Sequence, residues 1–436
     1  MKLPNFYLKK LFADGIKAAI SRDSLKQLWG LRLYSNAFYL VMTNGISSLL
    51  GFIFWIIVAR FYSPEDVGLA SALIAAVSLL AGFTHLGLDI ALVRFLSQFG
   101  KDANLLINTV FTIVTLTSIA GAFIFIVGLD FWSPALLFIR QNPIYLAAFV
   151  LLTIAFNASH LQDRTFIAER RAGYTVTKSL IFGLLKLPLP ILLAAFFHSF
   201  GIFASWGISL VVAFLLGMFF LMPRVRPDYR PLFVISKKVV NEIKHFSFAN
   251  YIADLFSSAS ISILPIMVLN LLGREPTAYF YIAWSIGSAS AMISGAVSTS
   301  LLVEGSHDEE RLGLNLWRSL RLILLTVVPA VILILAIAPY LLLLFGGSYS
   351  ESGASLLRIV AISALPWSIN LVYLAKLRVE KKLKVTVGFT AFIAVLTLGL
   401  AYFLLPRMGI NGAGIAWLAT HGIIALVVTV TSFRGR

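Results

Sequence analysis

The fold is indicated by a segment that occurs twice: ERRAGYTVTKSLIFGLLKLPLPILLAAFFHSFGIFASW at residues 169–206 and EKKLKVTVGFTAFIAVLTLGLAYFLLPRMGINGAGIAW at residues 380–417. Glu169 corresponds to Glu380, and Trp206 corresponds to Trp417. Each copy reads as a basic loop, an apolar span, a turn containing glycine and a second apolar span. A membrane chain built from two similar halves usually places a pathway between them. Transport is therefore the first hypothesis and catalysis the second.

The apolar residues are spread along the whole chain of 436 residues, of which 59% are hydrophobic and 12% are charged. A soluble domain is about half apolar and about a quarter charged. No polar block of domain size interrupts the pattern. The composition therefore predicts an all-α polytopic membrane protein in which the helical bundle is the whole protein.

Twelve stretches are long and apolar enough to cross a bilayer, since a span needs about 20 mostly apolar residues. The longest polar connection, residues 223–245, follows the sixth stretch. We therefore expect an N-terminal lobe at 34–222 and a C-terminal lobe at 246–436, with six spans each. The predicted spans are 36–60, 67–92, 104–128, 144–163, 174–197, 202–222, 246–271, 277–302, 315–338, 354–375, 384–405 and 411–433.

Residues 1–33 are too polar for the apolar core of a signal peptide. Leu8, Leu11 and Ile16 recur at helical spacing beside Lys9 and Lys10. This pattern indicates a basic amphipathic helix on the cytoplasmic membrane surface. A loosely ordered tail is the alternative.

The net charge of +16 is distributed unevenly across the predicted membrane. Most of the 35 lysines and arginines lie in one set of alternate loops and in the termini, which marks that side as cytoplasmic. The charge distribution thus indicates topology. We expect a multi-pass protein of the cytoplasmic membrane with both termini inside. Its basic residues would contact anionic lipid head groups. The charge distribution argues against a nucleic-acid partner. The basic residues near the other face are Arg60, Arg140, Arg274, Arg358 and Arg407.

The chain contains no cysteine, which excludes disulfides, thiol catalysis and cysteine-ligated metals. Its six histidines form no HxxxH or HExxH pair. We therefore expect no cofactor and no metal centre, and we expect that the protein is not an enzyme.

Three segments resemble those of a known family. These are ARFYSPEDVG at 59–68, FGGSY at 345–349 and PRMGINGAG at 406–414. They are similar to loops of the Wzx-type oligosaccharide and polysaccharide flippases, which belong to the multidrug/oligosaccharidyl-lipid/polysaccharide (MOP) exporter superfamily. MATE drug exporters and the lipid II flippase are relatives. The resemblance covers about residues 34–433.

This resemblance implies two six-helix lobes around a central cavity that opens alternately to each side. It also implies a substrate: an oligosaccharide linked to a polyprenyl diphosphate, moved to the outer leaflet. Polysaccharide-assembly enzymes are the implied protein partners.

Lys186 is the main candidate for substrate binding, because it lies near the middle of span five. A charged side chain costs roughly 2.5–3.5 kcal/mol at that depth, so it is expected to face a cavity or a partner. A diphosphate would be such a partner. The alternative is a lysine that reaches an interface or forms a structural pair. The other candidates, most of them basic residues near span ends, are Arg60, Arg358, Arg94, Arg318, Arg321 and, on a polar stripe of span one, Asn44.

Asp254 is the candidate for ion coupling. It lies inside span seven on a helical face shared with Asn250 and Ser257. A carboxylate beside amide and hydroxyl oxygens suits a hard cation or a proton, so Na⁺ or H⁺ is the candidate coupling ion. The alternative is an aspartate paired with a neighbouring basic side chain. His85 and Asp89, four residues apart, form a second pair that could titrate near neutral pH. A structural role fits this pair better than ion coupling does.

Two other functions compete with flipping. A MATE-type drug exporter for cations would favour an acidic cavity, whereas the clear midplane charge here is a lysine. A membrane glycosyltransferase or polymerase needs acidic residues in a substantial external loop. The only external acidic pair, Glu65 and Asp66, lies in a loop of a few residues.

Overall fold

The computed structural model describes residues 32–194, 198–291, 294–295, 297–298, 301, 312–380 and 382–433. Every regular element within these ranges is helical, which confirms the all-α fold class. The predicted amphipathic segment at 1–33 lies outside the described residues, apart from Arg32 and Leu33 at the start of the first helix.

In the described part of the chain, fourteen helices form the bundle, and short helical turns connect or extend them at Gly100–Asp102, Leu129–Trp132, Pro134–Leu136, Phe138–Gln141, Gly217–Leu221 and Met222–Val225. The helices are α1 (Arg32–Phe61), α2 (Pro64–Thr84), α3 (Leu88–Phe95), α4 (Ala103–Val127), α5 (Pro143–Ala168), α6 (Gly173–Leu185), α7 (Leu189–Leu193), α8 (His198–Leu216), α9 (Lys237–Leu272), α10 (Arg274–Ala289), α11 (Leu312–Leu343), α12 (Gly347–Val379), α13 (Leu383–Met408) and α14 (Ile410–Phe433).

Eleven helical stretches of the described residues are long and apolar enough to cross a membrane, so the chain is a multi-pass membrane protein. The predicted eighth span, 277–302, falls on α10 and on a stretch that is described only in part. The described part of α10 has 16 residues, which is short for a crossing. Within the described residues the count is therefore one fewer than the twelve predicted.

Consecutive spans run in opposite directions, so the bundle has two ends. We call the end that contains Lys101, Arg171, Arg224 and Lys382 the basic end, and the other the opposite end. α1 to α8 make up the first half of the chain and α9 to α14 the second half.

The two copies of the repeated segment differ in the middle. In the second copy α13 is continuous from Leu383 to Met408, whereas in the first copy the helix stops at Leu185 and resumes as α7. Pro188 and Pro190 account for the break, since proline lacks a backbone donor and collides with the preceding turn. Proline does not always break a span here, since three others lie inside continuous helices: Pro265 in α9, Pro329 in α11 and Pro366 in α12.

The two halves meet along α2, and glycine allows the closest approaches. A β-carbon built on Gly68 would lie 1.8 Å from the carbonyl oxygen of Arg274 at the start of α10. At the basic end, Gly87 adopts φ +70°, and its β-carbon would lie 2.2 Å from the carbonyl oxygen of Ser247 in α9. Only glycine fits both positions, so backbone packs on backbone at both ends of this seam.

The first turns of α9 belong to the packing of the first half. The helix begins at Lys237, inside the connection predicted at 223–245, because Ser236 caps it and accepts the amide of Val239. Val239 and Ile243 are buried in an apolar cluster with residues of the first half such as Ile107. α9 therefore joins the two halves physically as well as in sequence.

Candidate functional site

Lys186 lies at the break between α6 and α7, where its backbone ends the helix. Its side chain is 6% exposed. The ammonium lies 4.7 Å from the ring centre of Phe182 and 5.3 Å from that of Phe54 in α1. No carboxylate of the described residues pairs with it. Lys186 is thus a buried cation held by two aromatic faces, a geometry that partly offsets the loss of water.

Gly51 of α1 lies beside this ammonium. A β-carbon on Gly51 would lie 3.9 Å from Lys186 Nζ. Asn44, Gly51 and Trp55 share one face of α1 by helical spacing, and Trp55 packs on Tyr281 of α10 with ring centres 4.8 Å apart. Asn44 is exposed on that face. The lysine therefore reaches the side of α1 that is turned toward the second half of the chain.

The predicted arginines have separate surroundings. Arg60 donates to the carbonyls of Leu343 and Leu344 at the end of α11, at 2.8 and 2.9 Å. Arg358 donates to the carbonyl of Leu335 at 3.2 Å. These bonds fasten α1 and α12 to α11 and occupy the guanidinium groups with carbonyl oxygens.

At the basic end, Arg94 stacks over Phe246 of α9, with its guanidinium carbon 4.2 Å from the ring centre. Arg318 and Arg321 are exposed near the start of α11. None of these arginines contacts Lys186 in the described structure, so the basic candidates do not form one cluster.

Asp254 pairs with a basic residue from another helix. Its carboxylate lies 3.5 Å from the guanidinium of Arg378 at the end of α12, and its side chain is 50% exposed. Ser258 donates to its backbone carbonyl at 2.6 Å. Ser257 is exposed on the same helix, and the side chain of Asn250 lies outside the described residues. The aspartate is therefore accessible and opposed by a cation.

A second charged group lies near the seam between the halves. Asp89 of α3 is 3.3 Å from His160 Nε2 and 3.4 Å from Arg164 Nε, both on α5. The His85 and His160 rings stack with centres 4.8 Å apart. The left-handed turn at Leu86 and Gly87 separates His85 from Asp89, so the predicted pair does not lie along one helix. The sequence could not indicate His160 and Arg164, because they lie about 70 residues away.

Lys178 is a buried charge that sequence reasoning missed. It is 4% exposed, and its ammonium lies 2.7 Å from Asp163 Oδ1 and 2.6 Å from the carbonyl of Ser159. Lys178 also lies inside predicted span five, but near its start, where a lysine is less conspicuous than Lys186 is near the middle. Its partners lie on α5, so Lys178 joins α5 to α6, whereas Lys186 is left without a carboxylate partner among the described residues.

The described residues contain no group of three or more histidine, aspartate or glutamate side chains able to hold a metal ion. The arrangement supplies cations and hydrogen-bonding groups in low-dielectric surroundings. Such groups suit the binding of an anion inside the membrane.

Comparison with known proteins shows which family the sequence matches. Residues 33–303 match the model of a family described as "Polysaccharide biosynthesis protein". A search of curated protein sequences finds no significant match.

Solved structures with a similar fold are membrane transporters. The lipid II flippase MurJ in an inward closed conformation has a TM-score of 0.73 at 13% identity, covering 90% of this chain and 87% of that chain. An inward-facing multidrug resistance MATE family transporter of the MOP superfamily has a TM-score of 0.69 at 17% identity, covering 89% and 96%. An outward-facing conformation of a multidrug resistance MATE family transporter of the MOP superfamily has a TM-score of 0.62 at 18% identity, covering 90% of this chain and 92% of that chain.

The TM-scores establish the similarity of fold. The residues that match the family model, 33–303, span well over half of the chain. The chain therefore belongs to the polysaccharide biosynthesis protein family, and it has an all-helical, MATE-like fold.

Proposed function

We propose that the protein is a flippase that moves an oligosaccharide linked to a polyprenyl diphosphate from the cytoplasmic to the outer leaflet. The helical fold would act by alternating access, with the head group passing between the two halves while the lipid tail stays in the bilayer. Family membership supports a role in polysaccharide biosynthesis, and the similarity of fold to transporters supports movement of a solute over catalysis.

The observation that carries the proposal is that Lys186 is buried without a counter-ion among the described residues. Its ammonium is buried, and it has no carboxylate partner among the described residues. A buried cation that only completed the fold would be expected to have a counter-ion, as Lys178 has in Asp163. An ammonium without one is suited to bind an arriving anion, and this ammonium lies beside Gly51, on the face of α1 that also carries Trp55.

A diphosphate fits this position better than a carboxylate or a neutral sugar. It offers several acceptor oxygens and more than one negative charge, so a charge-assisted contact with Lys186 is strong in low-dielectric surroundings. Asn44 and Trp55 on the same face of α1 offer an amide and an indole ring to sugar units. Sugar recognition would then be separate from recognition of the diphosphate.

The orientation in this proposal places the basic end in the cytoplasm, with both termini inside. The lobes would be residues 34–222 and 246–436, and they would rock about the seam along α2. Substrate would enter from the cytoplasmic leaflet and leave on the side of Arg60 and Arg407.

Coupling to Na⁺ or H⁺ would act at Asp254. In the structure Arg378 neutralises its carboxylate. A cation or proton that reached Asp254 would compete with Arg378 and release α12 from α9. An ion gradient could thus shift the balance between two conformations, provided that the ion binds one of them more tightly.

The proposal is tested by reconstituting the protein in liposomes that carry a fluorescent polyprenyl-diphosphate oligosaccharide. Head groups that reach one leaflet are measured by their accessibility to a membrane-impermeant quencher. Wild-type protein should exchange the lipid between leaflets, and Lys186→Ala should slow the exchange. Absence of exchange by the well-folded wild type, tested with and without ion gradients, would refute the proposal.

The same liposomes test the alternative function of a MATE-type drug exporter, which the fold comparison favours as the second candidate. A cationic dye such as ethidium replaces the glycolipid. Gradient-driven dye export that is insensitive to Lys186→Ala, together with no glycolipid exchange, would support the drug exporter.

A further inference from the structure

The connection between the two halves does not project freely into the aqueous phase. Residues 226–236, which we call the linker strap, contain no helix and run as an irregular and extended chain against α4. The strap begins where Arg226 donates to Asn104 Oδ1 at 2.8 Å and pairs with Glu169. It ends where Ser236 caps α9.

Polar side chains of α4 hold the backbone of the strap in successive steps. Asn104 donates to the carbonyl of Asp228 at 3.2 Å. Asn108 donates to the carbonyl of Arg230 at 3.0 Å and accepts the amide of Leu232 at 3.2 Å.

The next contacts lie further along α4, away from its first residue, and then return toward its start. Thr112 accepts the amide of Val234 at 3.1 Å, and Thr109 accepts the amide of Ser236 at 3.2 Å. Lys238 then lies 3.0 Å from Asp102, back at the basic end of α4. The strap thus descends along α4, turns near Val234 and comes back.

The spacing of the two elements matches. The step from Asn108 to Thr112 rises about 6 Å along a helix. The step from Leu232 to Val234 covers about 6.6 Å of extended chain. Asn104, Asn108 and Thr112 lie on one helical face at intervals of four residues. α4 therefore carries a ladder of side-chain partners for a non-helical chain.

The depth of this ladder is informative. Thr112 lies nine residues beyond the start of α4 at Ala103, or about 13 Å along the helix axis. Each polar head-group layer is only about 5–8 Å thick, which is half the difference between the whole bilayer and its hydrocarbon core. With Lys101 and Asp102 at the surface, the turn near Val234 reaches the hydrocarbon.

The outward side chains fit such a position. Phe233 is 77% exposed, and Leu232 and Ile235 are 64% and 49% exposed. Tyr229 is buried against the apolar cluster of the first half and anchors the strap from the other side. Three large apolar side chains on one short segment are costly in water, and they are favourable in acyl chains. Exposed Arg224, Arg230 and Lys237 flank them, as suits anionic head groups.

We infer that the linker strap is a re-entrant membrane anchor: Leu232, Phe233 and Ile235 insert into the acyl chains of the leaflet at the basic end, while α4 satisfies the backbone. The bilayer is the partner of this surface. The consequence is mechanical. A strap bound to α4 and to lipid moves with the first half, together with the first turns of α9 that pack on that half.

The chain contains no cysteine, so one introduced cysteine can carry a single probe. We would label Phe233→Cys with an environment-sensitive fluorophore, in vesicles of phosphatidylcholine and phosphatidylglycerol. One quencher is a lipid with a doxyl group near the head of its acyl chain, and the other is aqueous iodide. Asp228→Cys, at an exposed polar position of the same strap, is the matched control.

We expect the probe at 233 to be quenched by the doxyl lipid and not by iodide, with the reverse at 228. Quenching of both positions by iodide would overturn the inference. Protection of position 233 from both quenchers would place it inside the protein, and would overturn it equally.

A second variant tests the role of α4. With Asn108→Leu and Thr112→Val, the backbone of the strap loses its partners, and the probe at 233 should become accessible to iodide. Thr326→Val is the control, because that hydroxyl bonds only within its own helix in the described structure. An unchanged signal at 233 in the double variant would show that α4 does not hold the strap. These measurements report position in the membrane and need no transport activity.

Discussion

Lys178 and Asp163 form an ion pair that joins α6 to α5, with Nζ 2.7 Å from Oδ1. The two partners differ in exposure, since the lysine side chain is 5% exposed and the aspartate 33%. Loss of the aspartate would leave a buried cation without a partner. Loss of the lysine would leave a carboxylate that water still reaches. The pair should therefore respond unequally to substitution.

We predict that Asp163→Ala destabilises the protein more than Lys178→Met does. Breaking a buried pair by removal of one partner costs about 3–5 kcal/mol, and that range applies to the aspartate variant. The lysine variant should cost about 1 kcal/mol, because methionine fills the same volume. The measurement is thermal unfolding in detergent, monitored as the fraction of protein that still elutes as a folded peak in size-exclusion chromatography. Equal losses in the two variants would contradict this reading.

Lys186→Ala should weaken binding of the diphosphate substrate about tenfold or more, since one charge-assisted hydrogen bond is worth about 1.5–3 kcal/mol. Lys186→Arg should keep part of the activity, because the charge remains. Lys186→Glu should be worse than alanine, since it repels the diphosphate. The measurement is binding of a fluorescent polyprenyl diphosphate to each folded variant. Wild-type affinity in Lys186→Ala would show that this residue does not bind the diphosphate.

Gly51→Val should reproduce part of the Lys186→Ala defect without changing a charge. The β-carbon would lie 3.9 Å from Nζ, and the two further methyl groups of valine would displace the ammonium from the face of α1. Gly45→Val is the matched control on the same helix, because its β-carbon meets no atom within 4 Å. Glycolipid exchange should fall for Gly51→Val and hold for Gly45→Val. Similar exchange by both variants would show that the space beside Gly51 does not affect the function of Lys186.

Asp254→Asn should abolish the dependence of transport on an ion gradient and leave the fold intact. Its pair with Arg378 is half exposed, and such pairs contribute about 0–1 kcal/mol to stability. The substitution therefore removes a titratable carboxylate at little structural cost. The assay compares glycolipid exchange with and without sodium and proton gradients. A gradient response equal to that of the wild type would reject Asp254 as the coupling residue.

Gly68→Ala should lower the stability of the bundle, because its β-carbon would lie 1.8 Å from a backbone oxygen of α10. Overpacking at such a contact costs about 1–3 kcal/mol. Gly399→Ala in α13 is the control, since its β-carbon meets no neighbour within 4 Å and alanine favours the helix. Thermal unfolding in detergent should separate the two variants, and equal midpoints would show that α2 can move away from α10 freely.

Much of the fold was predictable because the hydrophobic effect acts through composition. Long apolar stretches mark the helices, and the repeat at 169–206 and 380–417 marks two similar halves. The break beside Pro188 followed from local chemistry as well. Pro265 and Pro366 show the limit of that reasoning, since neighbouring helices can support a proline inside a continuous helix.

The candidate site was predictable only in part. A lysine in an apolar span is visible in the sequence, so Lys186 was singled out. The sequence did not reveal that Lys178 pairs with Asp163 or that Lys186 lies over the ring of Phe54, because contacts with other helices depend on packing. The same holds for His160 and Arg164 around Asp89, and for Asn108 and Thr112 under the linker strap.

The sequence by itself determined that this chain enters a membrane, roughly where it crosses and which end of the bundle is basic. These features depend on transfer free energies of single residues and short segments, which are properties of local composition. The tertiary structure alone decided which charges are paired, which glycines allow backbone contact and where the connection between the halves lies. Those outcomes depend on distances between residues far apart in sequence, and such distances exist only once the helices have packed.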